Sequence, residues 1–333
     1  MRKLLLPLLA LIVAGCTPDA PDMPEAEAED REPADRFPFL RDNDPLPAEP
    51  TDEADFRKRG NALFAQGAID QAIEDYTAAI KIKLNPAAYY NRGVAYSSKD
   101  QLDLALADFN VAIELDPEGA SAYYNRGIVL HRQGKTAQAI ADVSKAMDLE
   151  PKDPSLPFNR GLMYLAISLT DRAIADFEKS IELDPQSFDA HLNRGYACQQ
   201  IGQYTEAIKS LDEAIRLRPN NAKAYSNRGN AYGRKGDFEQ ALKDLDEAIR
   251  LSSREAQYYN NRGTIYGQMG QHQKAVGDFG RAIDLQPDIA VYYRNRGHAN
   301  HQLGETLQAE ADFATALEME PNARDSIPAQ YLK

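Results

Sequence analysis

Cysteine is scarce in this 333-residue sequence: Cys16 and Cys198 are the two that occur. With Cys16 committed elsewhere, as argued below, no intramolecular disulfide can staple the fold. An oxidising compartment is tolerated without being used. Long apolar runs are missing as well. The apolar stretch near the start, residues 4–13, is too short to hold a chain stably across a bilayer. Positive charge is in deficit, with 38 Lys and Arg against 51 Asp and Glu and a net charge of −13. That balance argues against nucleic acid or an anionic lipid surface as a partner. No glycine-rich phosphate loop, no paired catalytic carboxylates and no hydrolase triad pattern emerges, so neither an enzyme nor a cofactor is expected. Histidine occurs five times. His298 and His301 sit three residues apart, but no third or fourth ligand is evident and His131 is too distant, so no metal site is expected.

What is present begins with Arg2 and Lys3, followed by the apolar stretch and by Val13-Ala14-Gly15-Cys16. Small residues ahead of a cleavage point are what a secretory signal requires. A cysteine directly after them resembles the lipobox of bacterial lipoproteins. The resemblance implies a signal peptide over residues 1–15, cleavage before Cys16, and lipidation of Cys16 as the first mature residue. Several acyl chains hold a protein firmly where a single one is marginal. Thr17 follows the cysteine. In enteric-type sorting an aspartate there retains a lipoprotein in the inner membrane, so its absence implies the outer membrane, facing the periplasm. Residues 16–52 form an acidic, proline-rich tether, expected to be disordered. Residues 17–55 carry 14 acidic and 3 basic side chains, a net of −11. Without Arg2 and Lys3 the mature chain stands at −15, so everything from Phe56 onward carries −4. A segment of that composition cannot bury enough apolar surface to fold, and its like charges keep it extended. It reads as a spacer between a lipid surface and the rest of the chain.

The remainder is periodic. Asn-Arg-Gly recurs seven times at a constant interval, with glycines at Gly93, Gly127, Gly161, Gly195, Gly229, Gly263 and Gly297. Gly60 heads an eighth unit, set closer to Gly93 by a single residue, which is missing near Pro86. With the glycine as position zero, aromatic residues recur at −4 (Phe56, Tyr89, Tyr123, Tyr225, Tyr259, Tyr293) and bulky ones at +3 (Leu63, Tyr96, Leu130, Tyr164). Offsets −4, 0 and +3 share one face of a helix. Alanine stands at +12 in all eight units, and a large apolar residue four further on, as in Phe109, Phe177, Leu211, Phe279 and Phe313. These trace a second amphipathic helix. A turn divides the two, usually with glycine at +7, and proline at +24 closes the second helix. The zero glycine and the +12 alanine let two antiparallel helices cross closely, with bulky residues at the flanks. Pro157 takes the aromatic slot of the fourth unit, so that first helix is expected to start late, with proline in its opening turn. Ser253 replaces the closing proline of the sixth unit.

Period and order of small and large positions resemble the tetratricopeptide repeat, over residues 53–323. The resemblance implies an all-α fold: a right-handed superhelical solenoid of eight helix-turn-helix repeats, first helices on the concave side and second helices on the convex side. Terminal repeats leave core-like surface that needs a cap. A tail, residues 324–333, follows. Either Ile327, Tyr331 and Leu332 fold over the end or another chain covers it, as a homodimer would. Cys198 lies on an apolar stripe and is expected to be buried and inert.

The arginine and the asparagine of the motif separate on chemistry. Arginine precedes the glycine in all eight units, where the commoner residue of the family is an inward leucine. An inward arginine needs a partner, and aspartate recurs at +15. Across an antiparallel pair the two fall within about a turn of the same level, which predicts ion pairs Arg92–Asp108, Arg126–Asp142, Arg160–Asp176 and Arg228–Asp244. The fifth unit breaks the pattern with Ser210 at +15. The asparagine at −2 falls on the face expected to be concave. Asn91, Asn125, Asn159, Asn193 and Asn227, with Asn261 and Asn295, should form a row along a groove. An amide matches a peptide's N–H and C=O together, whatever the side chains, and asparagine rows in related arrays grip extended polypeptide backbones. The alternative is that each amide ties neighbouring first helices together. Beside the row, Tyr90, Tyr124, Phe158, Leu162, Leu192 and Tyr196 make an apolar stripe, the expected anchor zone for a protein or peptide; the alternative is packing against adjacent repeats. Arg57, Asn61 and Asn91 match part of the chaperone-tail clamp of some relatives, but Ser121 and Asn125 stand where positive charge is required, so no clamp is expected. The expectation is a lipid-anchored, envelope-facing adaptor with no catalytic residues, resembling bacterial lipoproteins with such repeats. A homo-oligomeric structural component is the alternative.

Overall fold

Residues 50–332 are described in a computed structural model. The predicted signal peptide, Cys16 and most of the tether lie outside them. Among the described residues there are sixteen α-helices and no strand. They pair as eight helix-turn-helix units: α1 (Glu53–Ala65) with α2 (Ile69–Ile82), α3 (Pro86–Ser98) with α4 (Leu102–Leu115), α5 (Ala120–Arg132) with α6 (Thr136–Leu149), and α7 (Ser155–Ala166) with α8 (Thr170–Leu183). Then follow α9 (Phe188–Gln200) with α10 (Tyr204–Leu217), α11 (Ala222–Lys235) with α12 (Phe238–Leu251), α13 (Ala256–Gln268) with α14 (His272–Leu285), and α15 (Ala290–Leu303) with α16 (Thr306–Met319). The chain divides into two compact units at Pro185/Gln186, repeats one to four in the first and five to eight in the second. Within each, a second helix packs on its own first helix and on the first helix of the next repeat.

Local chemistry sets the boundaries. Asp52, Asn85 and Asn221 cap α1, α3 and α11 by accepting from backbone N–H groups at 2.9 Å. The turn between the two helices of a repeat requires a left-handed residue at +7. Glycine supplies it in six repeats, from Gly67 (φ 80°) to Gly304 (φ 78°), whereas Asp100 (φ 61°) and Ser168 (φ 59°) adopt it without that freedom. The second helices from α4 onward end at +22, two positions short of the proline. α12 ends at the same place although Ser253 replaces the proline, so proline marks the end without being needed for it. In the fourth repeat α7 begins at −6 rather than −7, with Pro157 as its third residue, the late start that proline predicted.

The core differs from the expected crossing in one respect. A Cβ built on Gly93 would lie 2.8 Å from Cε1 of Phe109, and one on Gly161 2.7 Å from Cε1 of Phe177. The large residue at +16 therefore lies directly on the glycine, not at its flank. In the third, fifth and sixth repeats, where +16 is Val143, Leu211 or Leu245, the carbonyl oxygen of the +12 alanine also comes within 3.0–3.3 Å. Each repeat thus closes on a glycine floor with a ring or branched chain seated in it. Cys198 is fully buried.

The C-terminal tail takes the first of the two alternatives for covering the end. It forms two short 3-10 segments, Pro321–Ser326 and Ala329–Tyr331. Between them Ile327 is 4% exposed and packs with Ala309 and Phe313, flanked by Tyr331 and Leu332. Burying a side chain of that size contributes about 1.5–3 kcal/mol.

Candidate functional site

Five of the arginines form junctions with three arms. In the first three repeats Nε and Nη2 of Arg59, Arg92 and Arg126 donate to the two carboxylate oxygens of Asp75, Asp108 and Asp142 at 2.7–2.8 Å. Arg160–Asp176, Arg228–Asp244 and Arg262–Asp278 have the same fork at 2.7–2.8 Å. Arg296–Asp312 closes the series at 2.7–3.2 Å. The four predicted pairs are thus present and bidentate, which suits a planar guanidinium. Against the fall caused by burial, these carboxylates hold the arginine pKa values above their ordinary value. The aromatic at −4 has its role here: the Arg126 guanidinium lies 5.6 Å from the Tyr123 ring centroid and Arg296 5.7 Å from that of Tyr293. In the fifth repeat Arg194 donates through Nη1 to the Ser210 hydroxyl at 2.5 Å instead.

The third arm was missed at the level of sequence. Nη1 reaches position +17 of the preceding repeat: Arg92 to Thr77 (3.0 Å), Arg126 to Asn110 (2.8 Å), Arg160 to Ser144 (2.8 Å), Arg228 to Asp212 (2.7 Å) and Arg262 to Asp246 (2.7 Å). Each of these arginines therefore ties helices within a repeat and across to its neighbour. The acceptor changes type from repeat to repeat, so no residue pattern marks it.

The asparagine row is placed otherwise than a groove lining requires. Asn91, Asn159, Asn193 and Asn227 are all buried, from 0% to 8% exposed, while Asn125 is partly exposed. Asn91 Nδ2 donates to Asn61 Oδ1 at 2.8 Å, Asn125 to the Tyr90 hydroxyl at 3.0 Å, Asn261 to the Ser226 hydroxyl at 3.2 Å and Asn295 to Asn260 Oδ1 at 2.9 Å. Asn125, Asn159 and Asn193 donate to the carbonyl four residues back, at 2.7–2.9 Å. The amides tie first helices to their neighbours and to themselves. The physical reason is side-by-side packing of first helices, which covers positions −2 and +1 that a single-helix wheel leaves open. Position +1 shows the same effect: Val94, Ile128 and Tyr196 are 4%, 7% and 1% exposed.

The apolar stripe divides likewise. Leu162, Leu192 and Tyr196 are buried. Tyr90, Tyr124 and Phe158, all at −3 in the first unit, keep part of their surface in solvent. Tyr90 and Phe158 lean on Phe109 and Phe177 with ring centroids 5.9 and 5.8 Å apart. Burial pushes the Tyr90 hydroxyl well above its ordinary 10.0. The partly solvated first-helix face of the first unit therefore includes Tyr124, Phe158 and Asn125 beside Tyr90, with Ala87, Ser121 and Ser155 at offset −6. Asn61 accepts from both Tyr76 and Asn91, so it is spent inside the core and no chaperone-tail clamp is assembled around it.

His298 and His301 are tail receptors. His298 Nε2 meets the Ser326 carbonyl at 2.9 Å and His301 Nδ1 the Tyr331 hydroxyl at 3.1 Å. Among the described residues no group of three His, Cys, Asp or Glu is placed to hold a metal.

Comparison with known proteins bears on the same elements. Family models described as "TPR repeat" match residues 60–100, 96–134 and 195–236. Others described as "Tetratricopeptide repeat" match residues 120–153, 158–187, 177–209, 220–288 and 260–325. Among curated proteins, small glutamine-rich tetratricopeptide repeat-containing protein 2 of Saccharomyces cerevisiae is 41% identical over 64 residues; the match covers 19% of this chain and 18% of that protein. Among solved structures, a tetratricopeptide repeat protein from Parabacteroides merdae superposes with a TM-score of 0.54 at 22% identity, over 74% of this chain and 98% of that one. YrrB, described as a TPR protein with an unusual peptide-binding site, superposes with a TM-score of 0.50 at 27% identity, over 54% of this chain and 94% of its own.

Proposed function

The chain belongs to the tetratricopeptide-repeat family, and from that premise we propose that it is a non-catalytic scaffold that binds an extended segment of a protein partner on the first-helix face of its first unit. The observation that carries this reading is the row of partly solvated side chains Tyr124, Phe158 and Asn125, set on helices that the arginine junctions hold in fixed register. Apolar anchors supply most of the affinity, because a net hydrogen bond contributes only about 0.5–1.5 kcal/mol. The peptide-binding site for which YrrB is described supports the same use of such repeats. The bonded amides act mainly as positioning groups for the tyrosines, as Asn125 does for Tyr90.

The anchor completes the proposal. Val13-Ala14-Gly15-Cys16 supports lipidation at Cys16 and attachment in a bacterial cell envelope, with outer-membrane sorting favoured by Thr17. The acidic residues 17–52 then carry the repeats clear of the lipid surface. Such a protein would serve as an adaptor for envelope assembly, proteolysis or peptidoglycan enzymes. Panning a display library of peptides against the purified repeats tests the binding reading. Enriched peptides should bind wild type and lose at least tenfold in affinity on Tyr124→Ala with Phe158→Ala; unchanged affinity would move the site elsewhere. Labelling with a palmitate analogue tests the anchor. Label lost on Cys16→Ser supports it, and label absent from the wild-type protein refutes it.

A further inference from the structure

The seventh repeat interrupts the arginine series in a way that defines a separate site in the second unit. In repeats five and six, +17 and +18 are Asp212-Glu213 and Asp246-Glu247; in repeat seven they are Gly280-Arg281. Arg228 and Arg262 each place Nη1 on one of these aspartates at 2.7 Å. Arg296 keeps its fork on Asp312, but its Nη1 makes no further hydrogen bond among the described residues. The notch left behind is open. A Cβ built on Gly280 would meet only Arg296 Nη1, at 3.9 Å, and one on Gly277, a turn earlier, nothing within 4 Å. The charge around the notch has changed sign as well. Arg281 stands where Glu213 and Glu247 stood, its guanidinium 6.0 Å from the Tyr259 ring centroid. Asp284, a turn further along α14, is the one carboxylate on that helix acting on Arg296 from outside the fork. Arg59, in the first described repeat, likewise keeps its fork on Asp75 without a further bond from Nη1 among the described residues.

We propose that the notch bounded by Gly277, Gly280, Arg281 and Arg296 binds a carboxylate side chain of an acidic peptide, seated where Asp212 and Asp246 sit in the two preceding repeats. The sister repeats show the chemistry directly: the same guanidinium edge, in the same frame, takes a carboxylate oxygen at hydrogen-bond distance. A charge-assisted bond of this kind is stronger than a neutral one, and the two glycines let a peptide backbone approach closely. The site is independent of the apolar face of the first unit, so either proposal can fail without the other.

The test uses a fluorescein-labelled glutamate-rich peptide and a glutamine-rich one of equal length, titrated by anisotropy against the full chain. The expected result is salt-sensitive binding of the glutamate peptide at least fivefold tighter than of the glutamine peptide. Gly280→Asp should abolish that preference by supplying an internal carboxylate, while melting no lower than wild type. Gly280→Ala, which adds no oxygen, should keep it, and Tyr124→Ala should leave it untouched. Asp246→Gly should open a second notch at Arg262 and raise the stoichiometry from one to two. A wild-type protein that does not distinguish the peptides, or a Gly280→Asp variant that binds as wild type does, overturns the proposal.

Discussion

Arg126→Ala is the perturbation whose cost follows most directly from the geometry. The substitution removes two hydrogen bonds of 2.7 Å to Asp142, one of 2.8 Å to Asn110 and the cation–π contact with Tyr123. It leaves the Asp142 side chain, 11% exposed, without its counter-ion. Breaking a buried pair from one side costs about 3–5 kcal/mol. Arg126 is itself 24% exposed, so water can enter, and the lower end, about 3 kcal/mol, is expected. Removing both charges together should cost much less, because the penalty lies in the stranded carboxylate: Arg126→Leu with Asp142→Leu is expected within about 1 kcal/mol of wild type. Repeat arrays need not unfold in one step, so the assay is amide hydrogen exchange followed by mass spectrometry, read in α5 and α6, alongside urea denaturation. The single variant should raise exchange in α5, α6 and the abutting α4, with α9 to α12 unaffected. A single variant within about 0.5 kcal/mol of wild type, or a double variant as damaging as the single, would refute the account of the arginine as a charge-paired junction.

Four further outcomes are expected. Ser168→Gly should stabilise by about 0.5–1 kcal/mol by removing a side chain from a left-handed turn; Asp100→Gly should gain less, because Asp100 also accepts from Arg132 Nη2 at 2.7 Å. Gly161→Ala, whose Cβ would meet the Phe177 ring at 2.7 Å, should destabilise by about 1–3 kcal/mol, while Gly277→Ala, in open space on a helix, should stabilise by about 1 kcal/mol, both read from denaturation midpoints. Asn91→Ala should cost about 1 kcal/mol or more by breaking the tie to Asn61. Burial lowers the imidazole pKa of both His131 and His298 from the ordinary 6.5. The unfolded chain then binds more protons than the folded one below that value, so stability present at neutral pH is lost on acidification. Thermal melts should show that loss, diminished in His131→Leu with His298→Asn.

What could be read from the sequence followed the period. A fixed repeat interval locates sixteen helices, the late start at Pro157 and the Arg–Asp forks, because each of these is set by residues within one repeat and is copied from unit to unit. Contacts between repeats were harder to read. The third arm of Arg92, Arg126, Arg160, Arg228 and Arg262 lands on Thr77, Asn110, Ser144, Asp212 and Asp246, a position fixed by packing and not by residue type. The two readings of the asparagines, groove lining or ties between first helices, could not be separated for a related reason. A helical wheel has one buried side, whereas a first helix here is covered both by second helices and by the adjacent first helix, and −2 falls in that second cover. The +16 ring on the glycine was hidden similarly, since the wheel records faces but not depth. Apolar position alone could not separate Tyr196, 1% exposed, from Tyr124, which keeps solvent contact.

The central claim is that the first-helix face of the first unit takes a protein segment, and site-specific photo-cross-linking in intact cells tests it most directly. A photoreactive residue at position 124 or 158 should give defined adducts with another polypeptide, whose yield falls when the other position is changed to alanine. The same probe at Leu104, which is 49% exposed on a second helix, should give none of them. Adducts of equal yield from all three positions, or none from 124 and 158, would contradict the account.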